Sequence, residues 1–212
     1  MGKLKIKIPE SLNDLSLYQY QEYIKIENPT EKDVLRIFFG VSDLTQIENK
    51  HVNYLVDEVT KVLNTKPTFQ NTFTLGSKKF GFVPNLDAIS YGENLDITNY
   101  MKENQSLHFA MAVLFRPITK EQHGKYLIEP YESAKKYAEV LKFMPLGVCL
   151  GAVVFFYNLA NDLLKAIPRF IQQEAKKANL EVNGEVIQQY TNSLKAMLDD
   201  LERLQNYQYT NV

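Results

Sequence analysis

Few side chains in this sequence have the types and spacing that catalysis or metal binding requires. The three histidines stand at positions 51, 108 and 123, so no two of them share a helical turn, whereas a zinc-type site needs several such ligands together. The single cysteine excludes a disulfide framework and any CxxC redox or zinc pair. The sequence also lacks a GxSxG elbow, a Walker A loop and a GxGxxG turn. We therefore predict no catalytic residue, no cofactor and no metal, in a protein that is not an enzyme.

The polar and reactive residues that stand out have structural interpretations. His108 lies within an apolar helical pattern, which is typical of a partly buried histidine with satisfied hydrogen bonds. Cys149 lies within an apolar helix, where burial keeps a thiol unreactive. Arg116 stands before a loop that leads to Glu129 and Glu132, and we predict a structural ion pair between Arg116 and one of these two carboxylates.

The composition excludes further classes of protein. The chain has 212 residues with 24 basic and 25 acidic side chains, a formal net charge of -1. A near-neutral chain without a basic tail lacks the electrostatic footprint of a protein that coats nucleic acid, so we expect no direct nucleic acid readout. A folded chain of this mass buries about 70% of the surface that its unfolded form exposes. With 45% hydrophobic residues, the sequence predicts one domain with a sizeable core, with or without an appendage.

The elements that position these residues are mostly helical. Apolar residues recur at three- and four-residue spacing in most of the chain, and Ser16 with Gln19 and Ser90 with Glu93 have the spacing of capping boxes. Residues 3–8 alternate in polarity and predict a strand, and residues 67–84 predict a hairpin. Residues 118–130 predict an irregular or hairpin-like stretch. The predicted fold class is mainly α with a small antiparallel β-sheet (α+β), in which strand 3–8 pairs with the hairpin.

Residues 143–161 are the most conspicuous segment, because all nineteen are uncharged. Gly147 and Gly151 within it have the GxxxG spacing that permits close packing, and we assign them as helix-packing residues. The length reaches the threshold for a membrane span. Pro145 shortens the usable helix and two asparagines lie within it, so we expect a helix buried at the centre of a helical core. A membrane span and a surface helix covered by a partner subunit are the alternatives.

The C-terminal third predicts further helices. One begins at Pro145 and reaches about residue 165, a second begins at Pro168, and a last one spans about 185–207. The last helix carries apolar residues at steps of 3, 4, 3, 4 and 3, the spacing of an a/d seam. These candidate interface residues are Ile187, Tyr190, Leu194, Met197, Leu201 and Leu204.

Two interpretations of this seam remain open. It either packs onto the chain's own helices or contacts another subunit, because it is shorter than the three to four heptads of an independent coiled coil. We divide the chain into a compact helical domain with the small sheet, residues 1–167, and a C-terminal helical extension, residues 168–212.

Several stretches of the chain together resemble small proteins of tailed bacteriophages, including crAss-like phages. They are IPESLNDLSLYQYQEY at 8–23, FGFVPNLDAISYGE at 80–93, and FRPI at 115–118 with IEPY at 128–131. The apolar segment MPLGVCLGAVVFF at 144–156 resembles the same group. The resemblance spans roughly residues 8–165 and carries no known functional residue, and the helical extension after Pro168 is not part of it.

The resemblance implies a non-enzymatic structural or assembly protein of a phage particle, which we expect in the neck or tail as a ring or connector component. The implied partners are other phage structural proteins, in a homo-oligomer or a multi-protein assembly. The implied location is the virion, after synthesis in the host cytoplasm. The alternative is a soluble tail-assembly chaperone that the virion does not retain. A membrane-associated protein and an enzyme with an unrecognised site are further alternatives, although we do not expect membrane contact.

Overall fold

The computed structural model describes residues 6–43 and 47–178, and five single positions of the C-terminal segment, Gln188, Asn192, Lys195, Ala196 and Asp199. Within these residues the chain forms seven α-helices and one four-stranded antiparallel sheet. The fold is therefore mainly α with a small antiparallel sheet, which confirms the predicted fold class.

The helices and strands follow one another along the chain in three groups. The first group is helical, with α1 at Leu17–Ile24, α2 at Glu31–Phe39 and α3 at Asn49–Leu63. The second group mixes strands and helices, in the order β1 (Thr72–Leu75), β2 (Lys78–Phe82), α4 (Tyr91–Tyr100), α5 (Leu107–Leu114), β3 (Phe115–Gln122) and β4 (Lys125–Ile128). The third group is α6 (Lys135–Leu141) and α7 (Leu146–Ala178).

Capping boxes start three of the helices, two of them as predicted. At the start of α1 the Ser16 hydroxyl accepts a hydrogen bond from the Gln19 N–H (3.2 Å), and the Gln19 side-chain oxygen accepts one from the Ser16 N–H (2.9 Å). Ser90 and Glu93 make the same reciprocal pair at the start of α4, and α2 begins at a third box. Each pair satisfies N–H groups that the first helical turn cannot satisfy by itself.

The sheet has the strand order β1-β2-β3-β4, and every neighbouring pair is antiparallel. The first two strands form the predicted hairpin, which turns with Gly76 in the left-handed region at φ 59°. The last two form a second hairpin, which turns at His123 (φ 51°) and Gly124 (φ 74°). Because α5 leads directly into β3, the core helix and the centre of the sheet are covalently continuous.

Residues 6–8, the described part of the predicted strand 3–8, lie outside the sheet. For residues 6–8 this corrects the expectation that the segment pairs with the first hairpin, in which β1 pairs only with β2 among the described strands and β2 also pairs with β3. Ile6 and Ile8 instead pack against a small apolar cluster formed by Leu35, Val41, Val52 and Leu55. At Ile6 and Ile8 the alternation therefore reflects one apolar side packed on this cluster.

The most deeply buried residues of the core lie on α5 and on the first turns of α7. Leu107, Met111 and Leu114 of α5 are fully buried, as are Leu146 and Cys149 of α7. Every residue at 146–153 is buried, and from 154 to 162 the helix has buried, half-buried and exposed sides. The helix predicted to lie within the core is thus enclosed on all sides over its first two turns.

Helix α7 runs continuously from Leu146 to Ala178, although the sequence predicts one helix that ends near 165 and a second that begins at Pro168. A proline removes one i to i−4 hydrogen bond, and the turns on either side keep theirs, so a helix can continue through it. The helix crosses the boundary between residues 167 and 168, and the division of the chain into two parts stays a prediction.

Candidate interaction surface

The six candidate interface residues of the C-terminal seam, Ile187, Tyr190, Leu194, Met197, Leu201 and Leu204, lie outside the described residues. The five described positions of this segment are helical and exposed. If Ile187 occupies heptad position a, these five residues occupy positions b, c and f, which face away from an a/d seam. The assignment of the seam as an interface stays a prediction.

The two helix-packing glycines lie where other segments of the same chain come close to α7. A β-carbon on Gly147 would lie 3.1 Å from the Leu12 β-carbon and closer still to the Asn13 side-chain oxygen. A β-carbon on Gly151 would lie 2.9 Å from the carbonyl carbon of Thr68 and closer to its oxygen. The segments in contact are thus a 3-10 turn and an extended loop, where the sequence suggested a neighbouring helix.

Two aromatic side chains, Tyr18 and Phe143, lie against each other on the surface, and the exposed Val140 precedes Phe143 by three residues. We call these three residues the aromatic corner. Tyr18 is 43% exposed, Val140 48% and Phe143 58%. The two rings lie 5.7 Å apart at an interplanar angle of 38°. Each ring thus supports the other while both present an apolar side to solvent.

The backbone around the aromatic corner holds it in place. The N–H of Tyr18 donates to the Lys142 carbonyl (2.6 Å), and the N–H of Leu17 donates to the Met144 carbonyl (3.0 Å). The N–H of Leu146 in turn donates to the Leu15 carbonyl (2.8 Å). These bonds join the start of α1 to the α6–α7 connection, so the corner is built on a rigid part of the fold.

Charged pairs border the aromatic corner. Lys142 pairs with Glu139 at 2.8 Å, and the hydrogen bond from Lys142 holds the pKa of Glu139 below its usual value. On α1, Glu22 lies one turn beyond Tyr18 and pairs with Lys25. An apolar centre with a charged border is the usual anatomy of a protein–protein interface.

Neither Tyr18 nor Val140 is among the interface residues predicted from the sequence. A signal for Tyr18 is present nonetheless, because Leu17, Tyr20 and Ile24 are spaced to form the inner face of α1 and are buried. Tyr18 therefore falls on the outer face, which water-exposed polar residues usually occupy. No local pattern places Phe143 beside Tyr18, since that requires the turn between α6 and α7 to meet α1.

Arg116 forms a buried ion pair with Glu93, in which Nη2 lies 2.9 Å from Oε1 and each side chain is 9% exposed. This corrects the predicted pairing of Arg116 with Glu129 or Glu132, both of which pair with Lys136. Arg116 enters β3 at its second residue, beside the start of α4, where Glu93 also completes a capping box. The partner was therefore set by the packing of α4 on the sheet.

An aromatic side chain completes the surroundings of Arg116. The guanidinium lies 5.7 Å from the centre of the Tyr131 ring, and the Tyr131 hydroxyl donates a hydrogen bond to Asp96. Burial, together with this hydrogen bond and the Asp96 charge, raises the pKa of Tyr131. The Arg116–Glu93 ion pair and the Tyr131–Asp96 hydrogen bond both join α4 to the sheet and the chain that follows it, and the raised pKa keeps the Tyr131 hydroxyl in its neutral form.

His108 and Cys149 have the structural surroundings that the sequence predicts. His108 is buried, with its Nδ1 3.2 Å from the Nε2 of Gln21, which also donates to the Asn104 carbonyl at 2.8 Å. Burial lowers the pKa of His108, and the positive charge of Lys142 acts in the same direction. Burial also raises the pKa of the Cys149 thiol, which disfavours the nucleophilic thiolate.

Among the described residues, no group of three or more histidine, cysteine, aspartate or glutamate side chains is placed to hold a metal ion. In the same part of the chain, no helix has the length and apolar character needed to cross a membrane. The sequence matches no family model, and comparisons with curated proteins and with solved structures found no match.

Proposed function

We propose that this protein is a non-enzymatic structural or assembly protein that acts through protein–protein contacts. The observation that carries this proposal is the aromatic corner, where Tyr18, Val140 and Phe143 are all more than two-fifths exposed on a rigid backbone. Aromatic anchors that are held in place and bordered by polar groups are the side chains that contribute most to binding between proteins.

The sequence resemblance extends the proposal to a particular setting. The chain serves in the neck or tail of a tailed bacteriophage particle, as a ring or connector component in contact with other phage structural proteins. It is made in the host cytoplasm and becomes part of the virion. Of the stretches that carry the resemblance, 8–23 includes Tyr18 and most of α1, and 144–156 begins at the residue that follows Phe143.

The native mass of the purified chain tests the contact itself. We expect a mass above the 24.5 kDa of one chain, either alone or after addition of particle proteins. The double variant Tyr18→Ser/Phe143→Ser should return the chain to 24.5 kDa. The matched control Tyr54→Ser/Tyr91→Ser removes two exposed aromatic side chains elsewhere and should leave the assembly intact. A wild-type chain that stays monomeric with particle proteins would overturn the proposal.

Proteomics of purified particles tests the setting. Presence of the chain in virions is the expected result. A chain that copurifies with a phage protein from infected cells, but is absent from particles, would identify a tail-assembly chaperone and overturn the structural assignment.

A further inference from the structure

The β3–β4 hairpin has two chemically different faces. The register pairs Lys120 with Leu127 and Gln122 with Lys125, and side chains two residues apart on a strand share a face. These four side chains therefore lie on one side of the hairpin, which we call the hairpin face. Glu121 and its partner Tyr126 lie on the other side.

The opposite side of the hairpin is held by the protein. The Tyr126 hydroxyl donates to the carbonyl of Phe82 at 2.9 Å, and the carboxylate of Glu121 lies 2.8 Å from the Lys79 ammonium. The one carboxylate of these two strands is thus directed away from the hairpin face and already paired. The hairpin face keeps only positive and neutral groups.

The positive charges of the hairpin face have no counter-charge in the described part of the chain. No carboxylate of the described residues lies within ion-pair distance of Lys120 or Lys125, whereas Lys7, Lys61 and Lys142 are all paired. Leu127 stands between the two lysines and is 61% exposed. The face thus combines an apolar centre with a cationic border.

The hairpin face also borders an open cavity of about 430 Å³. In the described residues the cavity is lined by the four residues of the hairpin face, by His123 of the turn, and by Tyr126, whose side chain belongs to the opposite side of the hairpin. A protruding apolar side chain can enter such a space and cover Leu127. Carboxylates on either side of that side chain would then meet the two ammonium groups.

From this geometry we propose that the hairpin face binds an acidic segment of a partner protein, one that presents an apolar side chain between carboxylates. Leu127 receives the apolar side chain, and Lys120 and Lys125 receive the carboxylates. The face is smaller than a stable interface, so the contact is weak by itself and adds to a larger one. The site is distinct from the aromatic corner, and neither proposal depends on the other.

A protein segment suits this face better than nucleic acid or a membrane. A nucleic acid surface combines many cations with aromatic rings for base stacking, and this face has two lysines around a leucine. A membrane would meet the tip of the hairpin first, and the tip residues Gln122, His123 and Gly124 are not apolar. A site with an open cavity and an apolar centre fits a side chain that projects from a polypeptide.

The test is an NMR titration of the full isotope-labelled chain with the capped peptide Glu-Glu-Leu-Leu-Glu-Glu. We expect shifts of the amide signals of residues 120–127, weakened by added salt as expected for exposed charges. Lys120→Glu/Lys125→Glu should weaken binding at least about ten-fold, and Leu127→Ser should weaken it as well. The matched control Lys32→Glu/Lys66→Glu alters two exposed lysines elsewhere and should bind as the wild type does.

Several results would overturn the assignment. The first is that no amide signal shifts at millimolar peptide. The second is that Lys-Lys-Leu-Leu-Lys-Lys or Glu-Glu-Ser-Ser-Glu-Glu binds as tightly as Glu-Glu-Leu-Leu-Glu-Glu. The third is that Lys120→Glu/Lys125→Glu binds the acidic peptide as tightly as the wild type does. If a 20-nucleotide oligothymidylate or phosphatidylserine vesicles bound the hairpin more tightly than the acidic peptide does, the partner would be a nucleic acid or a membrane instead of a protein segment. The sequence itself contains an acidic cluster, Asp199, Asp200 and Glu202. If the peptide bound only after these three residues were changed to neutral ones, the hairpin face would be occupied by the chain's own C-terminal segment rather than by a partner protein.

Discussion

Arg116 on β3 and Glu93 on α4 form an ion pair of 2.9 Å in which both side chains are nine-tenths buried. Glu93 has a second role, because its other carboxylate oxygen accepts hydrogen bonds from the N–H and the hydroxyl of Ser90. One carboxylate thus starts a helix and ties that helix to the sheet. The loss of either partner leaves a buried charge without compensation.

We expect Arg116→Met to lower the free energy of unfolding by about 3–5 kcal/mol, because it leaves the Glu93 carboxylate buried and unpaired. The double variant Arg116→Met/Glu93→Gln should lose less, since a neutral amide can still accept a hydrogen bond from Ser90. Urea unfolding of Arg116→Met, Glu93→Gln and the double variant measures the coupling between the sites. Equal losses for Arg116→Met and the double variant would contradict the role of the ion pair.

The close approach of Gly151 to the Thr68 backbone predicts a cost for any side chain at that position. Gly151→Ala should lower the free energy of unfolding by about 1–3 kcal/mol, because neither α7 nor the loop backbone can yield easily. Gly92, in the first turn of α4, serves as control, since a β-carbon there would meet no neighbouring segment within 4 Å. Gly92→Ala should raise the free energy of unfolding by about 0.5–1 kcal/mol through helix propensity. Equal melting temperatures for the two variants would refute the steric argument.

Burial of His108 predicts that the stability of the fold depends on pH. The pKa of His108 is lowered in the folded protein by burial and by Lys142, so the unfolded chain binds the proton more readily. The free energy of unfolding should therefore fall as the pH falls below about 6.5, with a slope of at most about 1.4 kcal/mol per pH unit.

His108→Gln removes this titration and is the comparison for the pH prediction. The variant keeps a side chain that can hydrogen bond to Gln21, and the carboxylates titrate in both proteins. The difference between the two free energies of unfolding should therefore change between about pH 7.5 and about pH 5.5. A constant difference across this range would assign the pH dependence to other groups.

The candidate interface seam predicts that the C-terminal segment is needed for assembly. Deletion of residues 185–212 should leave a folded chain whose native mass is that of a monomer, if the seam contacts another subunit. Circular dichroism and native mass spectrometry measure both properties. Deletion of residues 208–212 alone spares the seam and is the control. Outright misfolding of the longer deletion would show that the seam packs onto the chain's own helices.

Where each element begins could largely be predicted from the sequence. Ser16 with Gln19, Ser90 with Glu93 and the Gly76 turn are local arrangements within four residues, and the structure has all three. The buried start of α7 was also predictable, because an uncharged segment of that length has few places other than a core. The fold class followed from these local patterns.

The partners of those elements were decided only by the tertiary structure. Arg116 is separated from Glu93 by most of α4 and by α5, whereas Glu129 and Glu132, which are nearer in the sequence, pair with Lys136. Ile6 and Ile8 alternate like a strand, yet they pack against the apolar cluster around Leu35. The aromatic corner also exists only because α1 meets the α6–α7 connection. Hydrogen bonds within one turn depend on neighbours in the chain, whereas ion pairs, strand neighbours and exposed patches depend on which elements share space after the core has packed.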